Sequence, residues 1–215
     1  MKRLGIIGAG DLGVQLAWIA RKTGEYEPTV FFDDNLAPGV SVAGIPVHGG
    51  LDALESISQP LPFDELIIAI GYRHLAIRQQ VFERLCGRFR FATLIDPNAF
   101  LDASCVVGEG AVIYAGCFID MNSEIGSNVL LNIGCVVAHD SKIGAGCFIS
   151  PAVKIAGFVE VGPSVILGIG TAVIDNIRIA SGVRTGAGAV VIDDLAVPGL
   201  YVGVPARLKK VIVQS

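Results

Sequence analysis

The chain has 215 residues, a formal net charge of −4 at pH 7 and 52% hydrophobic residues. No apolar run reaches the roughly 18–20 residues that a membrane-spanning helix requires, and no cluster of Lys and Arg offers a nucleic-acid surface. We therefore expect a cytoplasmic protein of one large or two small domains, without membrane insertion and without a nucleic-acid partner.

The first 95 residues alternate between predicted strands and helices, which is typical of a parallel α/β sheet. Strands are predicted at 3–7, 29–32, 66–70 and 91–95, and helices from the end of the glycine turn 8–13 to about residue 22 and over 75–86. This pattern predicts a small α/β domain of the half-Rossmann type over residues 1–95.

A glycine-rich turn follows the first predicted strand. Gly8–Gly13 reads GAGDLG, and Asp33 and Asp34 end the second strand about 20 residues later. This spacing matches the dinucleotide fingerprint, in which backbone N–H groups bind a pyrophosphate and the acid holds a ribose. About 95 residues are too few for two mononucleotide halves, so a half-site for a nucleoside diphosphate is favoured over an NAD site. A turn that only lets a helix pack closely remains the third interpretation.

Beyond this domain, every sixth residue is apolar. Fifteen of these sixteen positions hold Ile, Leu or Val. They are Leu101, Val107, Ile113, Ile119, Ile125, Leu131, Val137, Ile143, Ile149, Ile155, Val161, Leu167, Val173, Ile179, Thr185 and Val191. A period of six fits neither a helix, at about 3.6, nor an amphipathic strand, at 2. It predicts a left-handed parallel β-helix, a triangular prism over residues 96–198, followed by a tail over 199–215.

The position four residues after each aliphatic one is small or β-branched and is predicted to point inward at a corner. Four of the five cysteines occupy it: Cys105, Cys117, Cys135 and Cys147. None belongs to a CxxC pair, which argues against a zinc site or a disulfide framework.

His139 is the only histidine of the predicted prism. It occupies neither inward position of its repeat, so we expect its side chain to project outward. Asp140 follows it and can orient the imidazole and raise its basicity. Gly157 lies one coil above and is expected to leave open space beside the ring, which a thioester arm would need.

The glycine turn, the Asp33-Asp34 pair, the hexapeptide prism and a Gly-Val-Pro-Ala-Arg tail (Gly203–Arg207) together resemble one family. They are similar to the bacterial nucleotide-sugar acetyltransferases that N-acetylate bacillosamine or perosamine precursors, with sialic acid O-acetyltransferases as near relatives. The resemblance implies direct transfer from acetyl-CoA, as co-substrate, to the amine of a nucleotide-linked 4-amino-4,6-dideoxy sugar. It also implies a homotrimer and no metal.

The resemblance assigns roles to individual residues. His139 is implied as the general base and Asp140 as its partner. The residues implied in acetyl-CoA binding are Asn132, Gly157, Ile169 and Gly186. Those predicted to bind the nucleotide sugar are Gly8, Gly10, Asp11, Leu12, Gly13, Asp33, Asp34 and Gly71.

Two positions depart from the family pattern. Many members carry a histidine where this chain has Leu12, and here Asp11 is the candidate contact to an amino group. Many carry another where this chain has Phe148, so a backbone N–H is expected to stabilise the oxyanion. O-acetylation of a sialic acid or related hydroxyl remains an alternative, as does a non-catalytic nucleotide-sugar-binding protein. A zinc lyase of the γ-carbonic anhydrase type would need three histidines, and the prism has one.

Overall fold

The computed structural model describes residues 1–212, and the chain divides into two compact units between Pro97 and Asn98. Among the described residues, no helix combines the length and the apolar character needed to cross a bilayer.

The first unit is an α/β fold. Its elements are β1 (Lys2–Ile7), α1 (Asp11–Thr23), β2 (Tyr26–Phe32), β3 (Ser41–Val42), β4 (Ile45–Gly49), α2 (Leu51–Ser56), β5 (Glu65–Ile68), a 3-10 turn (Tyr72–His74), α3 (Leu75–Leu85) and β6 (Leu94–Ile95). The sheet order is β3-β4-β2-β1-β5, parallel except for the antiparallel pair β3–β4. The predicted half-Rossmann architecture is confirmed, with four elements, β3, β4, α2 and the 3-10 turn, that the sequence pattern did not predict.

Helix α1 packs closely on β1 because Gly13 has no side chain. A Cβ at this position would lie 2.1 Å from the carbonyl oxygen of Gly8. The helix ends at Thr23 and is capped by Gly24, whose φ of +73° is left-handed and favours glycine. The core beneath the sheet is formed by buried aliphatic and aromatic residues. They include Ile7, Val30, Phe32, Leu66, Ile68, Val81, Phe82 and Leu85.

Two predicted strands are shorter than expected. The third strand ends at Ile68 rather than residue 70. The segment 91–95 forms a strand only at Leu94–Ile95, and Phe91 makes an isolated bridge to Leu66.

The second unit is a parallel β-helix of short strands. They are β7 (Phe100–Leu101), β8 (Val106–Val107), β9 (Val112–Ile113), β10 (Phe118–Ile119), β11 (Glu124–Ile125), β12 (Leu130–Leu131), β13 (Val136–Val137), β14 (Lys142–Ile143), β15 (Phe148–Ile149), β16 (Lys154–Ile155), β17 (Glu160–Val161), β18 (Ile166–Leu167), β19 (Ala172–Val173), β20 (Arg178–Ile179), β21 (Arg184–Thr185), β22 (Val190–Val191), β23 (Gly199–Val202) and β24 (Arg207–Val211). From β7 to β19, each strand pairs in parallel with the strand 18 residues on, as Phe100 does with Phe118. The left-handed β-helix prediction is confirmed.

The strands form three faces. Face 1 contains β7, β10, β13, β16, β19 and β22, face 2 contains β8, β11, β14, β17 and β20, and face 3 contains β9, β12, β15, β18 and β21. The chain runs from face 1 to face 2 to face 3 in every coil. We call the corner between faces 1 and 2 the 1–2 edge, and name the 2–3 and 3–1 edges in the same way.

The aliphatic positions fill the prism interior and are buried from Ile113 to Val191. Burying such a side chain contributes roughly 1.5–3 kcal/mol, so the stack of coils stabilises itself. Thr185, the one polar exception, is matched inside by Thr171, whose Oγ1 lies 2.8 Å from the Thr185 Oγ1. The four prism cysteines are free thiols; Cys105 is partly buried and the other three are buried.

The predicted tail folds back on the prism unit. Strand β23 continues face 3, and β24 pairs with it in an antiparallel hairpin. Residues 213–215 of that tail lie outside the described residues.

Candidate functional site

His139 lies on the 1–2 edge, two residues after β13. Its side chain is 44% exposed, as its place in the repeat predicts. The Nδ1 atom lies 2.9 Å from Oδ2 of Asp140. The sequence-predicted pair is therefore formed within one corner of the prism.

Asp140 is held by a second partner. The side-chain amide of Asn122, one coil below, donates to Oδ1 of Asp140 at 3.1 Å. The hydrogen bond with His139, and then that with Asn122, hold the pKa of the Asp140 carboxyl below its usual range. The carboxylate is thus charged at neutral pH and accepts a hydrogen bond from Nδ1–H of His139. This assigns the free lone pair of the neutral imidazole to Nε2.

Gly157 has a different role from the one expected. A Cβ built on it would lie 2.8 Å from Cε1 and 2.9 Å from Nε2 of His139. The space above His139 is therefore not open, because the imidazole itself lies over the Gly157 backbone. The ring of Phe158 also contacts the imidazole, with centroids 5.1 Å apart and planes at 86°.

The other residues predicted to bind acetyl-CoA lie elsewhere on the prism. Asn132 follows β12, Ile169 follows β18 and Gly186 follows β21, so all three lie on the 3–1 edge. Ile169 is 59% exposed. His139 and Gly157 lie on the 1–2 edge, so one chain does not bring all five residues into one site.

The first unit contains a cavity of about 260 Å³. Its lining residues are Ile7, Gly8, Phe32, Asp33, Asp34, Asn35, Leu51, Ile70, His74 and Ile77. It lies at the carboxyl ends of β1, β2 and β5, where ligands bind in open parallel sheets. The volume is near the lower limit of roughly 300 Å³ for small-molecule sites, which suits part of a nucleotide.

Only some of the predicted nucleotide residues line this cavity. Gly8, Asp33 and Asp34 do. Gly10, Asp11 and Leu12 lie at the start of α1, Gly13 is buried against β1, and Gly71 precedes the 3-10 turn. None of these five is part of the lining.

Several lining residues were missed in the sequence. Asn35 and His74 are the polar ones, and His74 comes from the segment that follows β5. The signal that could have found it is position, since residues after the carboxyl end of each parallel strand converge at one edge.

Asp33 and Asp34 first serve the fold. The backbone N–H of Ala9 donates to Oδ2 of Asp33 at 2.8 Å, and that of Asn35 donates to Oδ1 at 2.9 Å. Oδ1 of Asp34 accepts from the backbone N–H of Leu51 at 2.8 Å, at the start of α2. Both acids therefore support the fold and also line the cavity, and their contact with a nucleotide stays a prediction.

Phe148, where many family members have a histidine, is only 6% exposed on face 3. Among residues 1–212 there is no group of three or more His, Cys, Asp or Glu side chains that could hold a metal ion.

Comparisons with known proteins agree with both units. Residues 3–85 match the PglD N-terminal domain, and residues 122–157 match the bacterial transferase hexapeptide (six repeats). The acetyltransferase domain of PglB from Neisseria gonorrhoeae FA1090, in complex with acetyl coenzyme A, is 32% identical with a TM-score of 0.88; the alignment covers 96% of this chain and 98% of that one.

A mutant of perosamine N-acetyltransferase from Caulobacter crescentus, in complex with CoA and GDP-perosamine, is 33% identical with a TM-score of 0.87, and 97% of each chain is covered. UDP-N-acetylbacillosamine N-acetyltransferase of Bacillus subtilis is 30% identical over 123 residues, which are 54% of this chain. That match spans about half, 52%, of the length of the curated relative.

Proposed function

Because this chain belongs to the family of hexapeptide-repeat sugar N-acetyltransferases that includes PglB and perosamine N-acetyltransferase, we propose that it acetylates the amino group of a nucleotide-linked amino sugar. Acetyl-CoA is the donor, and the acceptor is a sugar of the 4-amino-4,6-dideoxy type. The observation that carries the proposal is the His139–Asp140 pair, exposed on a prism edge with Nε2 unbonded among the described residues.

The reaction is a direct transfer. As the neutral amine attacks the thioester carbonyl, a C–N bond forms and Nε2 of His139 takes the proton from nitrogen. The C–S bond then breaks, and the proton passes from the imidazolium to the departing thiolate. Asp140 accepts from Nδ1–H throughout and stabilises the imidazolium. No acyl-enzyme is required, and Cys117, Cys135 and Cys147 are buried.

The nucleotide is assigned to the first unit. The cavity accepts the nucleoside, and the N–H groups at the start of α1 are suited to the pyrophosphate, since a helix N-terminus favours anions. The Asp33 and Asp34 carboxylates accept hydrogen bonds from ribose hydroxyls or base N–H groups, because a carboxylate would repel the phosphates.

The acetyl-CoA assignment requires more than one copy of the chain. Asn132, Ile169 and Gly186 lie on the 3–1 edge and His139 on the 1–2 edge, so a site using both sets has to be completed by a second chain. A homotrimer with closed symmetry supplies the same contact at every site. Static light scattering tests this: a trimer mass is expected, and a monomer at assay concentration would contradict it.

The function is tested by thiol release from acetyl-CoA. The wild-type protein is assayed with UDP-, dTDP- and GDP-linked amino sugars, and the product is identified by mass spectrometry. The matched control is the same nucleotide linked to a sugar with a hydroxyl in place of the amine. Release with an amino sugar only is expected. Release with none of the panel, or equally with the hydroxyl sugars, would overturn the N-acetyltransferase assignment.

A further inference from the structure

From Gly110 to Gly188, the prism turns each corner through a residue with a left-handed backbone, three places after the aliphatic position. Seven of these fourteen corners are glycine. The remaining ones with positive φ are Asn122, Asn128, Asp140, Ala152, Phe158, Ser164 and Asn176. Left-handed backbone is best tolerated by glycine and next by Asn and Asp, and a bulky side chain there is an outlier.

Phe158 is that outlier. Its φ is +57°, and it is the one large apolar side chain among these corners. It is also 53% exposed, so burial does little to offset the backbone strain. Strain that is kept without such compensation clusters at functional sites.

Phe158 lies in the corner stack directly above Asp140, which precedes it by one coil. Its ring meets the His139 imidazole edge to face, with centroids 5.1 Å apart. The Gly157 backbone closes a second side of the imidazole, and Oδ2 of Asp140 bonds to Nδ1. Three neighbours thus restrict a side chain that would otherwise rotate freely on an exposed edge.

We propose that Phe158 is a positioning residue, whose ring holds the His139 imidazole in the rotamer that places Nδ1 beside Asp140 and the ring over the Gly157 backbone. This rests on the proposed function, because it assigns Phe158 to the same reaction. Phe158 acts through His139 and is not a base or a ligand contact. The strained backbone at this corner is kept because the ring is needed beside the imidazole.

The test is Phe158→Gly, which removes the ring and relieves the strain together. We expect kcat to fall by about 10- to 100-fold, since loss of precise placement has effects of this order. KM should stay unchanged for both substrates. Tm should be equal to wild type or up to about 4 °C higher. The conservative variant Phe158→Tyr should retain near wild-type kcat.

Ser164→Gly is the matched control. Ser164 has the same left-handed corner backbone, with φ +56°, but lies on the 2–3 edge. The Ser164→Gly variant should have a Tm equal to or slightly above that of the wild-type protein, and its kcat should be unchanged. Unchanged kcat in Phe158→Gly would overturn the proposal. A rise in the KM of either substrate that accompanies the fall in kcat would also overturn it, because the ring would then be a ligand contact. A fall in Tm would overturn it as well, because the ring would then have a structural role.

A second measurement needs no substrate. Side-chain NMR couplings of His139 should report one rotamer in the wild-type protein and averaging in Phe158→Gly. A single, unchanged His139 rotamer in Phe158→Gly would refute the positioning role, whatever the turnover of the variant. Absence of thiol release from the wild-type protein, with averaging still seen in the variant, would instead overturn only the proposed function.

Discussion

Asn122 and Asp140 are 18 residues apart, and the Asn122 amide donates to Oδ1 of Asp140 at 3.1 Å across one coil. The other carboxylate oxygen lies 2.9 Å from Nδ1 of His139. One coil lower, the backbone N–H of Asn122 donates to Oγ of Ser104, which donates to Asp102. A continuous network of hydrogen bonds therefore runs along the 1–2 edge from Asp102 to His139. We call it the hydrogen-bonded ladder.

Asn122→Gly should reduce kcat by about 2- to 10-fold, the usual worth of one hydrogen bond. Glycine keeps the left-handed backbone that Asn122 adopts at φ +57°, so Tm should change little. Because Asn122 acts through Asp140, the change should have no further effect on kcat in an Asp140→Ala background. Carbon-13 NMR should show the Asp140 pKa moving up toward its usual range.

The matched control for that change is Asn176→Gly. Asn176 has the same corner backbone, with φ +60°, but bonds to Asp175. Its kcat should equal wild type. Fully additive effects of Asn122→Gly and Asp140→Ala would refute the ladder as a single unit.

His139→Ala should lower kcat by about 10²- to 10⁴-fold, the contribution of a positioned general base. The Tm should stay close to wild type because the side chain is 44% exposed. Steady-state kinetics and thermal unfolding check both statements. Near wild-type turnover would remove His139 from the mechanism.

Gly10 and Gly13 should respond to alanine in opposite ways. A Cβ on Gly10 meets nothing within 4 Å, whereas one on Gly13 would lie 2.1 Å from the Gly8 carbonyl oxygen. Gly13→Ala should therefore destabilise the protein by about 1–3 kcal/mol through overpacking. Gly10→Ala should keep Tm and raise KM for the nucleotide sugar, because its methyl occupies the approach to the helix N-terminus. Equal KM values for Gly10→Ala and wild type would move the phosphates away from this turn.

Asp33→Ala and His74→Ala separate the two roles of the cavity. Asp33 bonds to two backbone N–H groups, and each bond to a charged group contributes about 1.5–3 kcal/mol. Asp33→Ala should therefore lower Tm and raise KM for the nucleotide sugar together. His74→Ala should raise that KM with Tm preserved, and KM for acetyl-CoA should not move in either variant. A response of the acetyl-CoA KM in His74→Ala would contradict the assignment.

Acid should destabilise the protein through carboxyls that are better bound in the folded state. The Arg3 guanidinium and backbone N–H hold the pKa of Asp64 below its ordinary value of 3.8, and Ser104 does the same for Asp102. Such a group stabilises the fold above its unfolded pKa, and the stabilisation is lost as pH falls through the lower folded pKa. Tm should hold steady from neutral pH to about 4 and drop below it. In the Asp64→Asn variant, Tm should fall less steeply below about pH 4. An equally steep fall in the variant would refute the role of the Arg3–Asp64 pair.

The prism could be predicted in detail because its period is local and repeated. Each aliphatic position is constrained by the narrow interior, so the pattern survives even the polar Thr185. The outward direction of His139 follows from the same count. The contact with Phe158 does not, because it depends on a corner conformation that phenylalanine rarely adopts.

The first unit was predicted less completely for physical reasons. The β3–β4 hairpin turns at Ala43 and Gly44, both with positive φ, and its first strand has only two residues, too few to show alternation. Helix α2 has no cap of its own, since its first N–H is bonded by Asp34, 17 residues away. Non-local bonds of this kind leave no signal in the local sequence.

The 18-residue register sets a unit of length for any change to this chain. Deletion of one whole coil of 18 residues beyond Phe158 would shorten the prism by one coil. Every following residue would stay on the edge or face that it occupies now. Loss of six residues between Phe158 and Ile169 would instead rotate everything downstream by a third of a turn and carry Ile169 from the 3–1 edge to the 2–3 edge. Insertions and deletions that preserve activity should therefore span whole coils. Insertions of other lengths should form loops that project from the corners of the prism.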